Sequence, residues 1–311
     1  MPGKHTDDME CSRGGAKRQR VSVVESALAN IDVLGHLATF LEARELCQVK
    51  ATCRALGSRD EAASSGLSIA EEAVKRIYEG ASDEEKAMLP RYPGESWIEL
   101  YHHLLMLRAR LTFDQLIGRH IEYHGHKAAV QTKIIDERWE SCQAICGNHI
   151  MRAGRHWTTF TSSSSFDNCQ TVGVIRPLPG WETKGLDYFC PALRVFHADL
   201  LQESTDKWEG DVHFCRFSPS SGFCLWSDLD EHRNGTYYWE GRYNYEGRNN
   251  YDGDCAALGV LLDLDNGTLS VFQNGRRVGT IKDGLAGEYC WIAGFGGKGD
   301  VSIQRGYENT A

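Results

Sequence analysis

The side chains best suited to chemistry in this 311-residue chain are scattered cysteines, histidines and two neighbouring aspartates. Cys142, Cys146 and His149 form a Cys-x3-Cys-x2-His run, and thiolate and imidazole are the donors zinc prefers. No fourth donor stands at a matching spacing, and the eleven cysteines include no C-x-x-C pair, so the run is read as buried small side chains. His120, His124 and His126 lie close in sequence but are read as parts of a solvated connector. Asp263 and Asp265 invite calcium ligation; however, Thr268 stands where the loop needs glycine, and no glutamate occupies the twelfth place. The two aspartates are instead expected to hold a turn by hydrogen bonds. The chain lacks G-x-S-x-G, G-x-x-x-x-G-K-[ST] and H-E-x-x-H patterns, and Gly296-Gly297-Lys298 sits between strands rather than ahead of a helix. The expectation from these residues is no metal site, no cofactor and no catalytic residue.

The elements that could position a binding site are easier to see. Leu258 to Ile281 holds two Asn-Gly pairs, Asn266-Gly267 and Asn274-Gly275, each between β-rich runs, and Asn-Gly readily takes the positive φ angles of a two-residue hairpin turn. Leu258, Val260, Leu262 and Leu264 alternate onto one face, and Leu269 and Val271 continue the pattern, so a second sheet must cover them. Further strands are expected over 138–145, 155–161, 171–176, 212–217, 224–227, 289–293 and 301–305. Two long loops interrupt them. The first, 178–208, carries Trp181, Tyr188, Phe189 and Trp208; the second, 228–254, carries Tyr237, Tyr238, Trp239, Tyr243, Tyr245 and Tyr251 among Asn, Gly and Arg. Rigid aromatics interleaved with small polar residues are paratope-like, although about half of these rings are expected to fold back onto the sandwich, Trp239 first among them.

Ordered motifs along this half resemble the SPRY domain, a β-sandwich recognition module. They are Gly154, His156, Trp157 and Phe160; then Val172-Gly173-Val174-Ile175-Arg176-Pro177; then Gly253-Asp254, Leu264-Asp265, Gly267-Thr268-Leu269, Phe272, Asn274-Gly275 and Gly279; and last Trp291, Gly294, Gly297 and Asp300 to Ile303. The resemblance implies a peptide segment of a target protein bound by loops at one edge of the sandwich. The contact residues it points to are Trp181, Tyr188, Phe189, Tyr237, Tyr238, Tyr243, Tyr245 and Phe295.

The N-terminal part reads as helix. Ile31, Leu34, Leu37 and Leu41 follow helical spacing behind a capping Asn30, and Leu46, Val49 and Cys53 repeat it after a break at Glu42 to Arg44. Such a hairpin has too small a core to stand alone. It resembles an F-box, the motif that docks a substrate receptor on the Skp-type adaptor of a cullin ubiquitin ligase. The matching positions are Val33, Leu34, Leu37, Phe40, Leu41, Leu46, Cys53 and Arg54, of which Val33, Leu34, Leu37, Phe40, Leu41 and Leu46 are the implied adaptor contacts. Ala29-Asn30, Thr52 and Leu56 depart from the pattern, which expects Leu-Pro, Val and Trp there. Three Ser-x-x-Glu capping boxes, at Ser68, Ser82 and Ser96, then mark helices between the hairpin and the sandwich.

The sequence is thus expected to divide into a disordered leader (1–25), the F-box-like hairpin (26–60), a helical brace (61–118) and the sandwich (119–308), an α+β chain with a SPRY, jelly-roll-like β-sandwich. The formal charge of −9 gives no electrostatic support for nucleic-acid binding. No membrane-length apolar run and no signal peptide are present, so reduced cysteines and a cytoplasmic or nuclear place are expected. Lys17-Arg18-Gln19-Arg20 reads equally as an import signal or a solvated tail. The combined reading is a receptor joining a Skp-type adaptor and cullin ligase to a target peptide. A SPRY scaffold without a ligase and a carbohydrate-binding sandwich are the alternatives.

Overall fold

The computed structural model describes residues 30–38, 40–52, 66–133, 141–166, 169–229 and 255–306. They form two compact units, one drawn from Met1–Ser82 with Arg91–Leu105, the other from Asp83–Pro90 with Met106–Ala311. The helical unit therefore includes much of the expected brace, and the sandwich begins earlier than residue 119.

In the helical unit each start has a chemical cause. Helix α1 (Ile31–Ala38) begins where Asn30 Oδ1 accepts from the amides of Asp32 and Val33, at 2.9 and 3.3 Å. Helix α2 (Ala43–Thr52) follows a tight turn, with the Glu42 amide donating to the Glu45 carboxylate at 2.8 Å. Helix α3 (Ile69–Glu79) opens on a full capping box, the Glu71 amide donating to Ser68 Oγ and the Ser68 amide to the Glu71 carboxylate. The short helix α4 (Asp83–Met88) belongs to the second unit, and α5 (Trp97–Arg108) opens on the Ser96–Glu99 box. Ser68→Ala is expected to lower the unit's stability by about 1 kcal/mol, read as an earlier loss of helical circular dichroism in urea.

Ala38, Ala43, Leu46, Val74, Ile98 and Tyr101 make this unit's core. Tyr101 donates its hydroxyl to the Ala38 carbonyl at 2.7 Å, a second donor at the end of α1 beside the Leu41 amide.

The second unit is an antiparallel sandwich. Its strands are β1 (Gln115–Ile117), β2 (Ile121–His124), β3 (His126–Thr132), β4 (Cys142–Ile145), β5 (Arg155–Thr161), β6 (Gln170–Ile175), β7 (Phe214–Ser218), β8 (Phe223–Ser227), β9 (Ala257–Asp263), β10 (Thr268–Gln273), β11 (Arg276–Lys282), β12 (Cys290–Phe295) and β13 (Gly299–Arg305). One sheet has the order β1-β4-β12-β6-β7-β8, the other β11-β10-β9-β5-β13-β3-β2. Between them lies the main core, in which Leu258, Val260, Leu262, Leu269 and Val271 meet Phe160, Val172, Val174, Phe217 and Trp291. This is the cover that the alternating meander requires.

The six-stranded sheet is buried on its outer face as well. Segment 178–208 covers it, and the segment is not an open loop: it contains two 3-10 turns, Trp181–Lys184 and Arg194–Phe196, and helix α6 (His197–Gln202). Leu178, Trp181, Phe189, Phe196 and Leu200 pack there on Ile145, Ile175, Phe214 and Ile292. Arg176 fixes the segment's far end. Its Nη1 donates to the Ala286 and Glu288 carbonyls at 2.7 and 3.1 Å, its Nη2 to the carbonyl of Glu209, and it stacks 4.2 Å from the Tyr289 ring centroid.

Two local readings are corrected. Asn274-Gly275 makes the two-residue turn, with φ of 48° and 77° between paired Gln273 and Arg276. Asn266-Gly267 does not: Leu264 to Gly267 is a four-residue loop, because Asp263 accepts from both the amide and the side chain of Asn266 and pulls the chain out of a tight turn. Asp265 holds the same loop by accepting from the Gly154 amide at 3.0 Å. The histidine connector is also strand, His124 and His126 being exposed on β2 and β3 where these pair at the sheet edge. Among the described residues no three His, Cys, Asp or Glu side chains could hold a metal ion.

Candidate binding surfaces

Two surfaces could hold a partner, one on each unit. On the helical unit Val33 and Leu37 of α1, and Phe40 just beyond it, are 41%, 39% and 73% exposed. Their i, i+4, i+7 spacing puts them on one side of the chain, and the Phe40 amide donates to the Leu37 carbonyl to keep the turn wound. His36 packs edge-on against the Phe40 ring. Asp32 and Arg76 pair at 3.3 Å on the exposed surface. Leu41 is half-buried, and Leu46 is in the core. Leu46 is therefore removed from the contact set: periodicity put it on the apolar stripe, but α2 turns that stripe inward. The side chain of Leu34 lies outside the described residues.

On the sandwich, three of the expected aromatic contacts are core. Trp181 is buried with its Nε1 donating to Glu203 at 2.8 Å, and Phe189 packs on it at a ring distance of 5.0 Å. Phe295 continues β12, where Trp291, Ala293 and Phe295 alternate into the main core. The glycines around it suggest a turn, but Phe295 is the last residue of the strand, which takes in Gly294 and ends before Gly296. Tyr188 is 42% exposed, set edge-on to Phe196. Tyr237, Tyr238, Tyr243 and Tyr245 lie outside the described residues.

A polar cluster on the outer face of the six-stranded sheet went unseen in the sequence. Gln143 on β4, Gly294 on β12 and Thr171 on β6 stand in register across three neighbouring strands, and Arg216 on β7 is paired one step away with Gly173. A methyl group on Gly294 would lie 2.6 Å from both Gln143 Oε1 and Thr171 Oγ1 and 3.0 Å from Arg216 Nη1, so three polar side chains converge where this strand has none. Segment 187–190 walls the cluster. It is pinned by the Phe189 amide on the Ser141 carbonyl (2.8 Å), by Gln143 Nε2 on the Phe189 carbonyl (3.0 Å) and by the Arg119–Asp187 pair (2.7 Å).

Arg216 is 6% exposed and has only soft neighbours. Its Nη groups reach Gln143 Oε1 and Cys190 Sγ, each at a long 3.4 Å, and its Nε has no acceptor. Thr171 Oγ1 is equally without a partner. Burial pushes the Cys190 thiol up, but the charge of Arg216 and hydrogen bonds from the Ala192 amide, Arg216 and Ser141 outweigh it and draw the thiol below its ordinary value. A single arginine within the apolar run Phe214-Cys215-Arg216-Phe217 was the available signal.

No protein-family model matches the chain, and none of the curated proteins matches it. Solved structures are similar to it at low identity. The SPRY domain of human HERC1 is 11% identical over 58% of this chain and 90% of that one, with a TM-score of 0.34. The TRIM65 PSpry domain is 16% identical over 66% and 97%, with a TM-score of 0.37. A human SPRY domain is 12% identical over 61% and 98%, with a TM-score of 0.34.

Proposed function

We propose that this chain is a protein-binding module, and in finer terms a substrate receptor of a cullin ubiquitin ligase. The sandwich holds a segment of a target protein, and the helical unit docks on a Skp-type adaptor. The receptor works by raising the effective concentration of the target near the ubiquitin-carrying enzyme, not by side-chain chemistry of its own. A reducing cytoplasmic or nuclear setting accords with the free cysteines among the described residues.

The observation that carries the reading is the exposed strip Val33, Leu37 and Phe40. A unit with few apolar side chains to bury gains nothing by leaving three of them in water unless a partner covers them. The test is a pull-down of the full chain with a purified Skp-type adaptor, beside a Leu37→Asp, Phe40→Asp variant. Both side chains are exposed, so the variant is expected to keep its circular dichroism. Affinity is expected to fall by about a thousandfold, the loss of two hot-spot contacts of about 2 kcal/mol each. If the intact chain shows no affinity for the adaptor, the ligase connection falls and a scaffold built on the sandwich remains.

A further inference from the structure

We propose that the Arg216 cluster is a carboxylate-binding subsite, so that the target segment held by the sandwich carries an aspartate or glutamate at one fixed position. The inference rests on the reading of the sandwich as a peptide-binding module and names the chemistry of what it selects.

The argument begins with an unbalanced charge. A buried guanidinium is tolerated when a carboxylate or a set of carbonyls surrounds it, because an unpaired ion loses its hydration with nothing in return. Arg216 has neither. Among the described residues it forms no ion pair, and Glu288, a buried carboxylate of the same unit, is committed to Arg152 at 3.1 Å. A second buried arginine of the same sheet, Arg176, shows the satisfied state: its Nη groups are held by carbonyls of Glu209, Ala286 and Glu288. The Nε of both arginines lacks an acceptor, so the difference lies in what the Nη groups meet.

The missing partner must supply negative charge and two acceptor oxygens. Arg216 Nε–H and the Thr171 hydroxyl are two donors without acceptors, and Arg216 Nη1 and Thr171 Oγ1 both lie within 3.0 Å of the same point above Gly294. A carboxylate takes two such bonds at once, and guanidinium is the side chain best matched to it. Gln143 cannot be the recognition group, since its amide nitrogen already donates to Ser141 and the Phe189 carbonyl; it holds Arg216 in place. Arg216 Nε and Thr171 Oγ1 are closed off from solvent while Cys190 and Thr171 as residues are half-buried, so a ligand would enter by displacing the Cys190 side of the wall, next to exposed Tyr188. Cys190 Sγ reaches Arg216 only by a long 3.4 Å contact, so a ligand carboxylate displaces a weak contact rather than a strong one.

The experiment selects a phage-displayed random heptapeptide library on the full chain. Enriched peptides are expected to share an acidic residue at one position. Synthetic versions with Asp→Asn or Glu→Gln are expected to bind at least about tenfold more weakly, as charge-assisted hydrogen bonds require. Arg216→Met and Thr171→Val are expected to lower the affinity of the acidic peptide and to leave that of its amide version unchanged. The bound peptide is also expected to slow alkylation of Cys190 by iodoacetamide while leaving exposed Cys47 at its free rate. In urea Arg216→Met is expected to unfold at the same midpoint as the intact chain or a higher one; a midpoint lowered as far as that of Arg176→Met makes Arg216 a structural residue and overturns the proposal. Peptides enriched without a common acid overturn the subsite and leave the peptide-binding reading standing. No enrichment at all removes that reading and the subsite with it.

Discussion

Arg176→Met is expected to cost the sandwich about 4 kcal/mol, seen as a large fall in the urea midpoint at unchanged slope. Methionine fills most of the volume, so the loss isolates the hydrogen bonds. The Ala286 and Glu288 carbonyls would lose donors at 2.7 and 3.1 Å, and the Glu209 carbonyl would lose Nη2. Each buried acceptor left unsatisfied costs about 1–3 kcal/mol, and the stack on Tyr289 goes too. Arg176→Lys is expected to recover less than half, because an ammonium point charge cannot serve acceptors on opposite sides of a planar fork. The consequence reaches the Arg216 cluster. Arg176 ties residues 209 and 210, where the covering segment ends, to the 286–288 turn, and that segment carries Phe189 and Cys190 of the cluster wall. A loss below about 1 kcal/mol would mean that water replaces the guanidinium at these carbonyls.

How much of this could be read from the sequence depends on whether local chemistry or tertiary packing decides each feature. Strands 155–161 and 268–273 fall where expected because alternation and turn residues bound them on both sides. The Ser68 and Ser96 boxes are equally local. Periodicity identifies an apolar face but not what covers it, so Leu46 and Phe40 looked alike in sequence, although one is in the core and the other 73% exposed. Composition failed in the same way at Trp181 and Phe189, where an aromatic-rich segment turned out to be a second core layer. Phe295 was hidden by its glycines. Gly294 is there so that Gln143, Thr171 and Arg216 can converge, and Gly173 on β6, which pairs with Ile292, is there because a side chain would strike the Cys215 carbonyl. Both are strand positions emptied for close approach, and a single sequence cannot distinguish those from a turn. The Arg216 cluster draws residues from four strands and a wall, with Gln143 and Arg216 alone 73 residues apart, so no contiguous motif announces it.

Stability of the sandwich is expected to fall as the pH drops from about 6.5 toward 4, and His156→Gln is expected to flatten that dependence. His156 lies on β5 against the His149 ring at 5.8 Å and donates Nε2–H to the Ala153 carbonyl at 2.9 Å. Burial lowers its pKa from 6.5 to about 4, the carbonyl bond offsetting only part of that. The folded chain therefore keeps the ring neutral at a pH where the unfolded chain protonates it. A group with a depressed folded pKa stabilises the fold above its unfolded value, and that contribution is lost as the pH falls toward the folded value. The difference between 6.5 and about 4 sets the loss at on the order of 3 kcal/mol near pH 4, enough to consume a large part of an ordinary domain's stability. His213, at the end of the covering segment, has its pKa lowered to about 4 by burial and by the charge of Arg176, so it acts in the same window and direction. The measurement is urea unfolding at pH 7, 6, 5 and 4 for the intact chain and for His156→Gln, whose amide can still donate to Ala153. Parallel curves would place the acid sensitivity in His213 or in the carboxylates instead. A shallower fall in the variant would identify the buried ring as a source of the acid sensitivity.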